Sequence, residues 1–147
     1  VSAPLAANDK LKQAGRVDVF DVAVGNEPAQ RYFGVTKAEQ LGTSLAVDDQ
    51  QNLFIGSAAY TVPKTANSKA IKKAGKVSRF ILANENAQAE KVGTHANQQF
   101  GASLAAIELT GDFNMDLLVG SIGANDPGNK KLKAVGKLEL INANDWQ

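Results

Sequence analysis

The feature that most constrains the fold of this chain is a sequence repeat with a period of about 60 residues. Two separate phrases recur at this spacing. The first phrase is Leu-Gly-Thr-Ser-Leu-Ala at 41–46 and Phe-Gly-Ala-Ser-Leu-Ala at 100–105, which lie 59 residues apart. The second phrase occupies residues 11–17, 71–77 and 132–138. Its glycines, Gly15, Gly75 and Gly136, lie 60 and 61 residues apart. Two markers with one period predict a repeated structural unit.

Each repeat carries the patterns of short β-strands. Apolar and acidic residues alternate at 17–19 and at 138–140, as in strands with one buried face. Continuous apolar runs at 53–55 and 117–119 are typical of strands buried on both faces. Residues 64–74 have some helical composition but lack an apolar stripe, and they are predicted to connect two strands. We therefore expect an all-β protein with about four short strands per repeat.

Four antiparallel strands in about 60 residues are typical of a β-propeller blade. The chain holds two full-length repeats plus part of a third, with blade boundaries near 33–41 and 93–100. Residues 1–147 are thus predicted to form a single propeller segment. The chain begins near the end of a second strand and stops just after a third, which leaves two arrangements open. Either other chains complete a ring, or the chain is a fragment of a longer propeller, which we favour.

The order of several residues in the repeat resembles the FG-GAP repeat of integrin α-subunit propellers and their bacterial relatives. The positions that fit this order are Phe100, Gly101, Asp112, Asp116, Leu117, Gly120 and Gly136. At the start of the chain, residues 1–4 resemble the end of the turn in such a repeat, with Ser2 in the place of glycine. The resemblance implies an extracellular, periplasmic or cell-surface protein with a role in adhesion or protein binding. It also implies a calcium loop and a ligand-binding face on the opposite side.

The loop between the two apolar strands of the second full repeat is the candidate calcium site. Oxygen ligands at alternate positions allow a short loop to wrap a hard cation. The candidate ligands at positions 1, 3, 5, 7 and 9 are Glu108, Thr110, Asp112, the carbonyl of Asn114, and Asp116. The loop departs from the family pattern at Glu108, at Thr110 and at Phe113, which replaces a glycine. The alternative is a polar hairpin whose acidic side chains accept hydrogen bonds from local backbone amides.

The equivalent loop in the preceding repeat is five residues shorter, because Gly42 and Gly56 are 14 residues apart whereas Gly101 and Gly120 are 19 apart. The missing residues fall where the acidic loop belongs. Residues 48–49 are therefore predicted to form a tight turn without a metal.

Lysines concentrate in the connection that follows the apolar strand of each repeat. Equivalent loops of a propeller emerge on one face, so these residues predict a positively charged surface. The candidate ligand-binding residues are Lys12, Lys72, Lys73, Lys76, Lys130, Lys131 and Lys133. Such a surface suits an acidic protein or an anionic glycan. The alternative is that the lysines only maintain solubility and block edge pairing. Lysine greatly outnumbers arginine and no aromatic residues are interleaved, which argues against specific nucleic-acid recognition.

Several other classes of function find no support in the sequence. The chain has no cysteine, which excludes disulfides and cysteine metal sites, and no apolar run of about 18 residues that would predict a membrane span. His95 is the only histidine, and no nucleophile elbow, phosphate loop or dinucleotide motif is present. We therefore expect a non-enzymatic binding module. The alternatives are a purely structural propeller segment and the propeller domain of a larger secreted hydrolase or lyase.

Overall fold

The fold consists of antiparallel β-sheets, as the sequence predicts. A computed structural model describes residues 1–23, 25–82, 86–109, 111, 114–126, 128–129 and 131–146. Ten strands and one 3₁₀ helix, Ala143–Trp146, lie within these ranges. The strands are β1 (Ser2–Ala3), β2 (Arg16–Val19), β3 (Gln30–Phe33), β4 (Ser44–Val47), β5 (Asn52–Ser57), β6 (Lys76–Ile81), β7 (Ala89–Val92), β8 (Phe100–Ile107), β9 (Asp116–Ser121) and β10 (Lys137–Ile141).

The strands form three separate sheets whose members follow one another along the chain. Sheet 1 contains β1, β2 and β3, sheet 2 contains β4, β5, β6 and β7, and sheet 3 contains β8, β9 and β10. Every neighbouring pair is antiparallel. Consecutive strands thus pair with one another, the meander order that sequential antiparallel strands commonly adopt. Sheet 2 has the four strands expected of one repeat, and sheets 1 and 3 each have three strands among the described residues.

The continuous apolar runs form strands buried on both faces, which confirms the prediction for them. All six residues of β5 are buried. Because successive side chains of a strand point to opposite faces, Leu53 and Ile55 lie on one side of sheet 2 and Phe54 on the other. Leu53 and Ile55 pack with residues of sheet 1, while Phe54 packs with residues of sheet 3. The middle sheet therefore has two hydrophobic faces and is enclosed by its neighbours.

Two hydrophobic clusters hold the sheets together. Between sheets 1 and 2, the ring of Tyr32 packs against that of Phe80 with centroids 4.3 Å apart. Between sheets 2 and 3, Trp146 of the 3₁₀ helix lies 5.3 Å from Phe54 and is only 3% exposed. Aromatic pairs at these separations add to the stabilisation that burial provides.

The repeat extends to backbone conformation. Left-handed φ angles recur at Gln13, Lys73 and Ala134, with values of 55°, 49° and 51°. Gly15 and Gly75 also have positive φ, and each lies so close to the first strand of the next sheet that a Cβ would overlap backbone atoms of residue 41 or 100. These glycines are needed both for their φ angle and for the close approach of two backbones.

No helix in the described part of the chain has the length and apolar character needed to cross a membrane.

Candidate functional site

The lysine-rich connections join β1 to β2, β5 to β6 and β9 to β10, at 4–15, 58–75 and 122–136. Backbone hydrogen bonds fix the first two connections against the next sheet in the same way. Ala38 N donates to Lys12 O at 2.9 Å, and Asn97 N donates to Lys72 O at 2.8 Å. The two connections therefore lie at the same end of the stack of sheets.

The third connection continues this end of the molecule. Gly136 N donates to Ala124 O at 3.2 Å, the bond that Gly75 N makes to Tyr60 O in the preceding repeat. Gly123 N donates to Gln98 O at 3.1 Å, one residue beyond the Asn97 that contacts the second connection. The segment 93–99 thus bridges the second and third lysine-rich connections.

Five predicted lysines form an exposed group at this end, which we call the lysine surface: Lys12, Lys72, Lys73, Lys131 and Lys133. None of them forms a salt bridge with another described residue. Asp9 and Asp126 are the acidic residues in these connections. The Oδ1 atom of Asp126 accepts hydrogen bonds from Gly128 N and Asn129 N, so that carboxylate is engaged locally. Lys130 lies outside the described residues.

Lys76 does not belong to the lysine surface, and its burial corrects the prediction for this residue. It is 4% exposed, and its Nζ lies 2.9 Å from both Glu39 Oε1 and Glu90 Oε1. The ammonium also lies 4.6 Å from the centroid of the Tyr60 ring. Burial lowers the pKa of Lys76, but the hydrogen bonds and charges of Glu90 and Glu39 outweigh burial, and the net pKa is raised.

Glu39 explains why Lys76 is buried. Its Oε2 atom accepts hydrogen bonds from the backbone N–H groups of Val35 and Thr36 at 2.9 Å, while Oε1 faces Lys76 across the junction of sheets 1 and 2. The equivalent residue at the next junction is Gln98, whose Oε1 accepts a hydrogen bond from Thr94 N at 2.8 Å. The turn is the same at both junctions, but only the first has a buried charge.

The candidate calcium loop is partly described. Thr110 and Asp112 lie outside the described residues. Glu108 Oε1 accepts a hydrogen bond from Gly111 N, and Asp116 Oδ2 accepts one from Leu109 N at 3.2 Å. Asn114 Oδ1 accepts a hydrogen bond from Gln50 Nε2 at 3.2 Å. The bonds that Glu108 and Asp116 accept are those of the alternative interpretation, a polar hairpin whose acidic side chains accept hydrogen bonds from local backbone amides.

The hypothesis of a cation site in this loop rests on one atom. Asp116 is fully buried, and its Oδ1 atom accepts no hydrogen bond from the described residues. A buried carboxylate oxygen without a donor is costly, and a cation would satisfy it. The described residues include no cluster of three or more His, Cys, Asp or Glu side chains with metal-binding geometry.

The shorter loop of sheet 2 forms the predicted tight turn. Asp48 Oδ1 accepts hydrogen bonds from Gln50 N at 3.0 Å and Asn52 N at 2.8 Å. Asp48 Oδ2 accepts a hydrogen bond from Asn52 Nδ2 at 2.7 Å. Both carboxylate oxygens are occupied by the turn itself, which contrasts with Asp116.

A cavity that sequence reasoning did not anticipate lies between sheets 2 and 3, with a volume of about 650 Å³. Its lining is chemically mixed and includes Lys91, His95, Gln98, Lys137, Glu139 and Ile141. Lys137 is the counterpart of Lys76 in the repeat, but it is 52% exposed and pairs with Glu139 at 2.8 Å. The cavity occurs at the junction where the counterpart of Lys76 is exposed and not buried. Only a comparison of Glu39 with Gln98 could have indicated this difference from sequence.

Comparison with family models and with curated proteins finds no match for this chain.

Proposed function

We propose that this chain is a non-enzymatic binding module that uses the lysine surface to contact an acidic protein or an anionic glycan outside the cytoplasm. The observation that carries this proposal is the recurrence of exposed lysines without salt bridges in equivalent connections of successive repeats. An acidic partner would gain favourable contacts from several repeats at once.

The net charge of the chain is only +1, so any attraction comes from the local arrangement of charges. Screening limits the range of such attraction to roughly 8–10 Å at physiological salt. A flexible ammonium group without a planar fork suits contact with carboxylates or sulfates at variable positions. These properties favour charge-driven recognition with modest geometric specificity.

We further propose that the three sheets are consecutive blades of an integrin-like β-propeller. Support comes from their order along the chain, from the recurring glycine contacts at Gly15 and Gly75, and from the hydrophobic cluster at each junction. Further blades, from the same chain or from another, would pack on the outer faces of sheets 1 and 3.

Calcium is proposed as an optional structural ion of the acidic loop. Glu108, Thr110, Asp112, Asn114 and Asp116 would hold it. The Oδ1 atom of Asp116, which accepts no hydrogen bond from the described residues, supports this assignment, and the hydrogen bond that Glu108 accepts from Gly111 N weighs against it. The ion would brace the turn between β8 and β9, at the end of the stack opposite the lysine surface.

The binding proposal is tested by charge reversal. Lys72→Glu/Lys73→Glu/Lys133→Glu is compared with the wild type for retention on immobilised heparin and on immobilised polyglutamate over a salt gradient. We expect the wild type to be retained at low salt and released as salt rises, and the triple variant to pass through. Equal elution of both proteins on every anionic matrix contradicts the proposal.

A matched control separates local charge from total charge. Lys91→Glu changes the charge by the same amount as Lys72→Glu, but Lys91 lies on β7 beside Trp146 and is not one of the five residues of the lysine surface. We expect Lys72→Glu to weaken retention more than Lys91→Glu does. Equal losses would show that the matrix responds only to net charge.

A further inference from the structure

A second, smaller cavity lies where the segment 93–99 meets the third lysine-rich connection. Its volume is about 430 Å³, within the roughly 300–1,000 Å³ of typical ligand pockets. Ala96, Asn97 and Gln99 line it from the segment, and Asn125 and Lys133 line it from the connection. None of its described lining residues is an acid. The smaller cavity therefore combines one ammonium group with three side-chain amides.

The amides of the smaller cavity are held in place by the backbone. Asn97 and Gln99 have left-handed φ angles of 61° and 55°. Their backbone N–H groups donate to Lys72 O at 2.8 Å and to Lys73 O at 3.1 Å, while their side chains bond no other described residue. The Oδ1 atom of Asn125 accepts a backbone hydrogen bond of its own connection at 3.2 Å, which leaves its Nδ2 group as a donor. A ligand thus meets fixed residues with unused hydrogen-bonding groups.

This set of groups matches an acidic sugar better than a protein segment. A side-chain amide both donates and accepts hydrogen bonds, as a sugar hydroxyl does. The ammonium of Lys133 suits a carboxylate or a sulfate as a point charge. A protein partner is usually anchored by aromatic or large side chains in apolar pockets, but Ile122 is the one large apolar residue among the described lining residues.

The equivalent place at the junction of sheets 1 and 2 is more strongly cationic. The repeat puts Lys37 where Ala96 stands, and it puts Lys72 and Lys73 where the next connection has one lysine and one alanine. Lys37 is exposed and forms no salt bridge with another described residue. The next residue, Ala38, donates its N–H to the first connection. Lys37 therefore extends the positive charge of the lysine surface between the first two connections.

We propose that the smaller cavity binds one acidic sugar unit of an anionic glycan, and that Lys37, Lys72 and Lys73 bind acidic groups of neighbouring units. This rests on the proposed function and selects the glycan over the acidic protein as the partner. In the cavity, Lys133 pairs with the carboxylate or sulfate, and the amides bond the hydroxyls. The two sites lie at successive junctions, so only a longer oligosaccharide reaches both.

Three labelled probes with equal numbers of acidic groups test the partner class. They are a heparin oligosaccharide, which carries sulfates and carboxylates, an oligogalacturonate, which carries carboxylates alone, and an oligoglutamate peptide, which has no sugar. Anisotropy titrations with the whole chain measure each affinity. We expect a sugar probe to bind about tenfold more tightly than the peptide, because it also bonds the amides. Tight binding of heparin alone assigns a sulfate as the acid, whereas tight binding of both sugars shows that a carboxylate suffices.

A matched pair of glycine variants locates the sugar. Gln99→Gly removes one amide of the cavity, and glycine tolerates the left-handed φ. Gln51→Gly makes the same change at φ 63° in the turn between β4 and β5, at the opposite end of β5 from the second connection. We expect Gln99→Gly to weaken sugar binding about two- to tenfold and to leave peptide binding unchanged. Gln51→Gly should change neither.

Oligosaccharide length separates the two parts of the site. Lys133→Gln should weaken binding of short and long sugars alike, by about two- to fivefold, because its ammonium holds the unit in the cavity. Lys37→Gln should weaken binding of the long sugar alone. Circular dichroism checks that each variant is folded. If Gln99→Gly does not fold, the probe comparison on the wild type and the Lys133→Gln result decide.

The outcomes distinguish this proposal from the proposed function. Peptide binding as tight as that of both sugars overturns the glycan in favour of an acidic protein, and the lysine surface then stands. Equal sugar affinities of Gln99→Gly and Gln51→Gly, or of Lys133→Gln and the wild type, overturn the cavity as the sugar site. If none of the three probes binds, the proposed function itself fails.

Discussion

Lys76 on β6 and Glu39, which follows β3, meet 2.9 Å apart at the junction of sheets 1 and 2, where the lysine is 4% and the glutamate 1% exposed. Glu39 caps its own turn, and Lys76 bonds Glu90 within sheet 2. One buried ammonium group thus ties together the turn of one sheet and two strands of the next.

Replacing the ammonium group is expected to destabilise the protein strongly. Lys76→Met leaves Glu39 as a buried charge without a cation, and the free energy of unfolding should fall by about 3–5 kcal/mol. Urea unfolding followed by circular dichroism measures this loss. The exposed Lys72→Met should change stability by only about 0.5 kcal/mol or less.

A second substitution should recover much of that loss. Lys76→Met/Glu39→Gln removes the unpaired charge, while the amide oxygen still caps the turn, as Gln98 does in the next repeat. We expect the double variant to be clearly more stable than Lys76→Met alone. If the two substitutions instead add, the pair is not coupled in the way that the structure indicates.

The ion pair also predicts a dependence on alkaline pH. The folded-state pKa of Lys76 is raised above its usual 10.5, so its contribution is fully present below that pH and is lost as pH rises through the folded-state pKa. The pKa of Tyr32 is raised by burial, which gives the same sign above pH 10.0. We expect the denaturation midpoint of the wild type to fall more steeply above pH 10.5 than that of Lys76→Met. Tyr32→Phe removes the tyrosine contribution and separates the two effects.

Two glycines with the same φ angle provide a paired test of sheet contact. Gly75 has φ 84° and Gly136 has φ 81°. A Cβ at Gly75 would overlap the backbone of Phe100, whereas the nearest atom to a Cβ at Gly136 is Ser121 O at 3.9 Å. Gly136→Ala should cost about 1–2 kcal/mol for the left-handed conformation alone. Gly75→Ala should cost clearly more, because sheets 2 and 3 must also separate. Similar melting temperatures for both variants would contradict this reasoning.

Calcium binding is tested by thermal unfolding with and without a chelator. A bound ion should raise the melting temperature, with a stabilisation of about 2.7 kcal/mol at a calcium concentration 100 times the Kd. The difference should vanish in Asp116→Asn and persist in Asp48→Asn, whose side chain serves only its own turn. A melting temperature that changes with neither calcium nor chelator would contradict the proposed calcium site.

Much of the fold could be predicted because each strand pattern occurs in more than one repeat. The alternating and continuous apolar segments gave the strands β2, β5, β9 and β10, and the absence of an apolar stripe at 64–74 agreed with a connection without a helix. These are local patterns, in which the periodicity of side chains depends only on the backbone.

The structural role of Lys76 could not be predicted in this way. Its neighbours in sequence resemble those of Lys137, which is half exposed, and the difference arises from Glu39, 37 residues away. Whether a lysine is buried depends on partners brought together by packing, not on its own segment. The same reason explains why the cavity between sheets 2 and 3 could not be predicted, because it depends on Gln98 and on the position of Lys137.

The left-handed glycine before β10 has a final consequence. Gly136 holds nearly the same φ as Gly75 although no described strand packs against it, so the turn is set by its own sequence and by the hydrogen bond to Ala124 O. Fixing the backbone of one residue costs roughly 1–2 kcal/mol of conformational entropy. At this turn the loss of conformational entropy therefore occurs when sheet 3 folds. A surface that docks here therefore meets a rigid template, and its association rate should be limited by encounter and not by rearrangement of the turn.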